Sequence, residues 1–226
     1  LPFLLNRSLM FKLYNSSYRG LRFHFDGSTR EAYWVLLGLP VLTVLSAFTL
    51  APLWHHRLKR YQHANASFGQ TRFTVDLPLG ALYKAYVVTA LCIVGLLIFS
   101  FVWMIGGGML LGPSSTVAIM LMLYVVVGTA VMSLTTAQVQ NIVWGHTTLG
   151  AHRFGCTLEP HRLLFISLTN LLATIVTLGL YRPFADVRLA RYVIGELTLI
   201  GAGGLEAFSA GERQHVAAIG EEAAEI

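Results

Sequence analysis

From Ala85 to Ala151 the sequence contains no Asp, Glu, Lys or Arg. An apolar run of 18 or more residues without charge is roughly what one bilayer crossing requires, so this feature dominates everything else the chain can do. Composition agrees with it: 55% of the residues are hydrophobic and 12% charged, with mean hydropathy +0.62, against about 25% charged in ordinary soluble domains. The expected fold class is a mostly α-helical integral membrane protein with short β-strands between its membrane segments. The net charge of +5 is not a nucleic-acid footprint, because the basic residues flank apolar segments as topology-setting loops and headgroup anchors do. Cys92 lies in an apolar segment and Cys156 in a predicted strand, so no disulfide framework is suggested.

Four apolar segments are expected, at about Tyr33–Trp54, Tyr86–Ile105, Thr116–Ala137 and Leu163–Tyr181. Their lengths suit spanning helices at about 1.5 Å per residue. The uncharged stretch GGGMLLGPSS (Gly106–Ser115) makes the second and third a helical hairpin. Arg57, Lys59, Arg60, Arg72 and Lys84 precede that hairpin and its turn has no cation. Lys/Arg asymmetry then puts the basic side in the cytoplasm and the turn across the membrane.

A repeat organises the rest. NSSYRGLRF (Asn15–Phe23), NASFGQTRF (Asn65–Phe73) and HTTLGAHRF (His146–Phe154) share one phrase, ending in an Arg-Phe pair that opens an extended stretch. A shift of 131 also carries PLWHHRLKRY (Pro52–Tyr61) onto PFADVRLARY (Pro183–Tyr192) without a gap. The expected organisation is a first repeat unit over residues 1–82, a helical hairpin over 83–140, a second unit over 141–211 and an acidic tail, plausible as a helix, over 212–226.

Two topologies fit. If segments one and four both span, the hairpin between them inverts one copy relative to the other, as in transporters built from inverted repeats. If both are re-entrant or shallow, all three Arg-Phe strands share the cytoplasmic side. The second is more economical, because three strands of one pattern then form one sheet whose backbone groups satisfy each other. In that sheet Phe packs inward and Arg meets headgroups or carboxylates.

The candidate contact residues are these cations. Arg57 and Arg60, like Arg188 and Arg191, share a helix face, and with Arg22, Arg72 and Arg153 they could grip lipid headgroups or an acidic partner. Snorkelling anchors are the plainer reading of the helical four. Asn170, Thr129 and Ser133 lie inside apolar segments and suit interhelical hydrogen bonding and close packing. His55, His56 and His63 lack the companions of a metal site, and no cofactor is expected. No Asp or Glu falls within the four segments, which argues against proton coupling. No phosphate-cradling loop or nucleophile elbow is present either.

NSSYRGLRFHFDGS, NIVWGHTTLGAHRF (Asn141–Phe154) and TLGLYRPFADVRLARY (Thr177–Tyr192) resemble the YjgN family, the domain of unknown function 898, over about Tyr14–Gly211. The resemblance implies a multi-pass protein of the bacterial inner membrane, with further sequence before Leu1 and no established activity. It also implies a partner, since genes of that family lie beside genes for M48-type membrane metallopeptidases. Gln138 and Gln140 stand where the family often has a cation, and Phe48 stands where the second copy has Gly179. The expected function is a non-enzymatic accessory or scaffold subunit of a membrane complex. The alternative is a transporter or channel for a small solute or lipid, and no constellation for a lipid enzyme is present.

Overall fold

Each Arg-Phe phrase folds as a β-hairpin. In the computed structural model, which describes residues 2–201, helix α1 (Pro2–Tyr14) leads into β1 (Ser17–Tyr18) and β2 (Leu21–Phe25). The second hairpin is β3 (Ala66–Phe68) and β4 (Thr71–Val75); the third is β5 (Thr147–Leu149) and β6 (His152–Cys156). The phrase explains its own residues. Asn15 and Asn65 close the preceding helix, their side-chain amides donating to the carbonyls of Phe11 (2.8 Å) and Tyr61 (3.0 Å). Gly20, Gly69 and Gly150 take positive φ in the tight turns (83°, 59° and 58°), a conformation that costs glycine nothing.

The hairpins pair in the same register, Ser17 facing Arg22, Ser67 facing Arg72 and Thr148 facing Arg153. Between hairpins, Phe23 faces Phe68 and Phe73 faces Leu149. Strand order follows chain order from β1 to β7 (Leu197–Ile200). In this antiparallel sheet β2, β4 and β6 are alternate strands and so run in one direction.

Helices fill the intervals. After β2 come α2 (Thr29–Tyr33), a π-helical turn (Trp34–Gly38), α3 (Leu39–Leu45) and α4 (Ala51–Ala64). Ser28 caps α2 by accepting from the Glu31 amide. The π turn, with Leu39 N–H donating to the Trp34 carbonyl, precedes Pro40, whose ring nitrogen cannot continue the α ladder. After β4 come α5 (Leu79–Leu111) and α6 (Pro113–Gly145), and after β6 come α7 (Pro160–Val176) and α8 (Arg182–Gly195).

About four membrane segments are expected, two of them either spanning or re-entrant; among the described residues two helices are long and apolar enough to cross, at Leu79–Gly106 and Ser114–Gly145. Segments one and four are not single helices, because each contains or ends in a tight helix–turn–helix break. The backbone of that break repeats at the shift of 131. Ser46 N–H donates to Leu42 O and Phe48 N–H to Thr43 O; Thr177 N–H donates to Ala173 O and Gly179 N–H to Thr174 O. Two successive residues are left-handed in each copy: Ala47 and Phe48 (φ 50° and 64°), then Leu178 and Gly179 (φ 51° and 94°). The Ser46 and Thr177 hydroxyls accept from the amides of Leu50 (3.3 Å) and Tyr181 (3.0 Å), holding the turn closed. Phe48 thus accommodates the conformation that glycine takes in the second copy, at a cost of about 1 kcal/mol.

The chain divides into two compact units. Unit one holds residues 2–79, 143–155 and 199–201; unit two holds 80–142 and 156–198. In unit one, Phe25, Val35, Leu39, Tyr61 and Ala66 form a core with Trp54, Leu58 and Phe73 alongside. Leu21, Phe68 and Leu149 cluster with Phe23, Phe73 and Phe154. The Phe face of the sheet is therefore the face covered by helices. In unit two, Ala137, Leu158 and Leu163 are buried against Cys156, Tyr192 and Val193. The expected tail over residues 212–226, and the end of the second repeat unit up to 211, lie outside the described residues.

Candidate functional site: an arginine face on the sheet

Side chains alternate across a strand, so with Phe23, Phe73 and Phe154 turned to the core, Arg22, Arg72 and Arg153 share the opposite, exposed face. The registers join them into polar rungs. His24 faces Ser67, which faces Arg72; Thr74 faces Thr148, which faces Arg153, and the two threonine hydroxyls hydrogen-bond. Each rung ends in an arginine beside a hydroxyl. The hydroxyls Ser17, Ser67, Thr74 and Thr148 are not anticipated from the sequence. Their signal is present, since Ser or Thr stands five residues before Arg in all three phrases.

The arginines are lightly engaged. Arg72 meets Asp26 at 3.4 Å, with both side chains more than half exposed, an ion pair worth about 0–1 kcal/mol. Arg22 donates to the Tyr14 hydroxyl at 3.0 Å and lies 5.1 Å over that ring. Asp76 follows β4 as Asp26 follows β2, yet the equivalent pair with Arg153 is not made, and the Arg153 side chain has no ion pair or hydrogen bond among the described residues. His24, Asp26, Ser67, Gly69, Gln70 and Arg72 line a polar hollow of about 260 Å³ on this face. A face that contributes so little to folding offers guanidinium groups for carboxylates or other anions, which arginine binds in a planar fork.

The remaining candidates sit elsewhere. Arg57 and Arg60 are exposed on α4, as is Arg191 on α8, and none has an ion pair among the described residues. Arg188 turns inward, donating to Thr169 Oγ1 (2.7 Å) and Asn170 Oδ1 (3.0 Å), while Asn170 Nδ2 donates to the Ala185 carbonyl (3.1 Å). Two residues assigned separate roles from the sequence thus form one link between α7 and α8. Thr129 donates to the Val125 carbonyl of its own helix. With Ser133 it lines a cleft of about 580 Å³ whose other walls include Ser167, Leu163, Leu171 and Leu189.

The histidines of α4 serve packing. His63 meets the Trp144 ring edge-on at 4.9 Å, and His56 Nε2 lies 3.0 Å from the Leu77 carbonyl. Burial, and then the charge of Lys59, lowers His55 and His63 to about 4, so both are neutral at physiological pH. No group of three or more His, Cys, Asp or Glu converges among the described residues.

Two clasps were not foreseen. The Tyr61 hydroxyl donates to Asn6 Oδ1 (2.8 Å), and Asn6 Nδ2 donates to the Gly27 carbonyl (3.2 Å). In unit two, Asn141 receives the Leu158 amide (2.9 Å) and donates to the Leu158 carbonyl (3.0 Å), with Tyr192 against Glu159. Gly27 and Leu158 are equivalent at the shift of 131, so an asparagine from a preceding helix pins the strand-to-helix corner in both copies.

A model of a bacterial protein family of unknown function, DUF898, matches residues 1–226, the whole chain. No curated protein and no solved structure matches it.

Proposed function

We propose that this chain, which belongs to the DUF898 family of bacterial proteins, is a multi-pass inner-membrane protein acting without catalysis of its own, as an accessory or scaffold subunit whose arginine face docks an acidic partner. The single observation carrying this reading is the placement of Arg22, Arg72 and Arg153 on one exposed face, opposite the face that the helices cover. The helices argue for the bilayer. Only 6% and 11% of the most apolar windows of α5 and α6 are buried, and helices apolar all round and exposed need an apolar surrounding.

Within unit one, Arg22, Arg72 and Arg153 lie on the exposed side of the sheet, away from the Phe side. Within unit one, α2, α3 and α4 pack on the Phe side, as does Trp144 near the end of α6, 5.5 Å from the Phe154 ring. Carboxylates of another protein suit the arginine face, and lipid phosphates suit the exposed helical arginines Arg57, Arg60 and Arg191. The family resemblance makes an M48-type membrane metallopeptidase the first partner to look for. No cofactor or nucleic acid enters the proposal.

The transporter or channel reading draws on the cleft beside Thr129 and Ser133. Against it, β2 and β6, equivalent at the shift of 131, are alternate strands of one sheet and run in the same direction, which favours a direct over an inverted duplication. The test is purification of the full-length protein in a gentle detergent at native expression, with mass spectrometry of what accompanies it. A stoichiometric membrane partner is expected with the wild type and at least tenfold less with Arg22→Gln/Arg72→Gln/Arg153→Gln. A homo-oligomer carrying only lipid would overturn the scaffold reading.

A further inference from the structure

Two neighbouring rungs of the arginine face end in the same residue but differ beside it. In the rung of Arg153, the hydroxyls of Thr74 and Thr148 satisfy each other. In the rung of Arg72, His24 takes the place of that first threonine and faces Ser67. Ser67 is only 6% exposed, and its hydroxyl has no hydrogen-bond partner among the described residues. Buried hydroxyls are normally hydrogen-bonded, so one left over asks for an explanation. His24 meets the Tyr14 ring edge-on at 6.4 Å, and its ring nitrogens likewise have no hydrogen-bond partner among the described residues. Ser67, His24 and Arg72 together line the polar hollow of about 260 Å³, which lies wholly within unit one.

We propose that this hollow is the seat for a single carboxylate of the docked partner, held by the Arg72 guanidinium, the Ser67 hydroxyl and the His24 imidazole, with Asp26 as its internal competitor. The proposal rests on the reading of this face as a docking surface and says where the partner's acid is held. A carboxylate matches the planar guanidinium fork and has lone pairs left for the hydroxyl and the imidazole N–H. Asp26 meets the guanidinium alone, at 3.4 Å, with both side chains more than half exposed. An incoming carboxylate that also engages Ser67 and His24 therefore displaces it. Asp26 sets the charge as well, because it lines the same hollow and repels a doubly charged phosphate more than a singly charged carboxylate. The size fits one side chain, being below the roughly 300 Å³ at which pockets for whole small molecules begin. The Arg153 rung, whose threonine hydroxyls already bond each other, offers no equivalent seat.

The test follows the imidazole resonance of His24 by NMR, in the full chain carrying isotope-labelled histidine in detergent micelles, with His24→Gln to assign it. Sodium acetate is titrated at neutral pH, against sodium phosphate and sodium chloride at matched ionic strength. A saturable shift with acetate is expected. Ser67→Ala and Arg72→Gln should each weaken it about tenfold, as loss of a hydrogen bond to a charged group does. Asp26→Asn should tighten it about threefold, by removing the weak exposed competitor. Lys12→Gln, which removes the same charge from an exposed site on α1, should leave it unchanged. A shift that never saturates, or that chloride reproduces, would overturn the proposal. So would equal binding by Ser67→Ala, weaker binding by Asp26→Asn, or phosphate bound more tightly than acetate, which marks a phosphoryl ligand. Partner capture separates the two layers. If Ser67→Ala loses acetate yet holds the partner as the wild type does, the seat's role in docking is overturned and the docking reading stands. Saturable, Ser67-dependent acetate binding with no partner captured supports the seat and removes the docking reading.

Discussion

Tyr61→Ala is expected to cost about 3–5 kcal/mol of stability, in the range for deleting a large buried aromatic side chain. Tyr61 is 1% exposed and meets the Phe25 ring edge-on at 5.5 Å. Its hydroxyl, pushed up to about 12 by burial and then by Glu31, stays protonated and donates to Asn6. Gly27 leaves no slack there, since a Cβ would run into the Phe25 ring and lie 2.7 Å from the Tyr61 hydroxyl. Tyr61→Phe should cost about 1–2 kcal/mol, because Asn6 Oδ1 then stays buried without its donor. Tyr192 is the equivalent residue, but it is only half-buried and touches Glu159 at a more exposed corner. Tyr192→Ala should therefore cost less than half as much. Unfolding midpoints of the purified proteins in detergent check the order, and equal losses at the two tyrosines would contradict it.

Asn170→Leu is expected to cost about 2–3 kcal/mol, by leaving the Ala185 carbonyl without a donor and removing an acceptor from the Arg188 guanidinium. The first copy shows what the site becomes without asparagine. Leu39 and Arg57 occupy the equivalent positions, and Arg57 is exposed. Adding Arg188→Met should thus recover part of the loss, as when both members of a buried polar pair are replaced by apolar groups. The same unfolding midpoints decide: a double variant no more stable than Asn170→Leu alone would show that Arg188 and Asn170 are not coupled.

These two sites also mark what the sequence made legible. The three Arg-Phe phrases were readable as strands of one sheet because each carries its helix stop, its turn glycine and an alternation of Arg and Phe. The shift of 131 was readable because it aligns both arginines and the tyrosine, and the backbone of the turns at Ser46–Phe48 and Thr177–Gly179 repeats at that same shift. The breaks inside segments one and four were not. Hydropathy stays high through Ala47 and Phe48, and no glycine in the first copy announces a left-handed pair. The Ser46 hydroxyl that closes that turn looks like any small polar residue in an apolar run. Nor could spacing pair Asn170 with Arg188, or Asn6 with Tyr61, since both links join separate helices and depend on how each turn folds back. The arginine face was half legible. Its cations stood out, while its hydroxyl rungs became evident only once the register was known.

The most direct test of the proposed placement, a sheet on one side of a membrane, is accessibility labelling. Single cysteines replace Arg22, Arg72 or Arg153 in the full-length protein lacking Cys92 and Cys156, together with a Ser115→Cys reporter between α5 and α6. Labelling with an impermeant maleimide is compared in inside-out and right-side-out membrane vesicles. All three arginine positions should label from the cytoplasmic face, and position 115 only from the opposite face. Labelling of positions 22 and 153 from opposite faces would contradict the shared sheet and restore an inverted repeat.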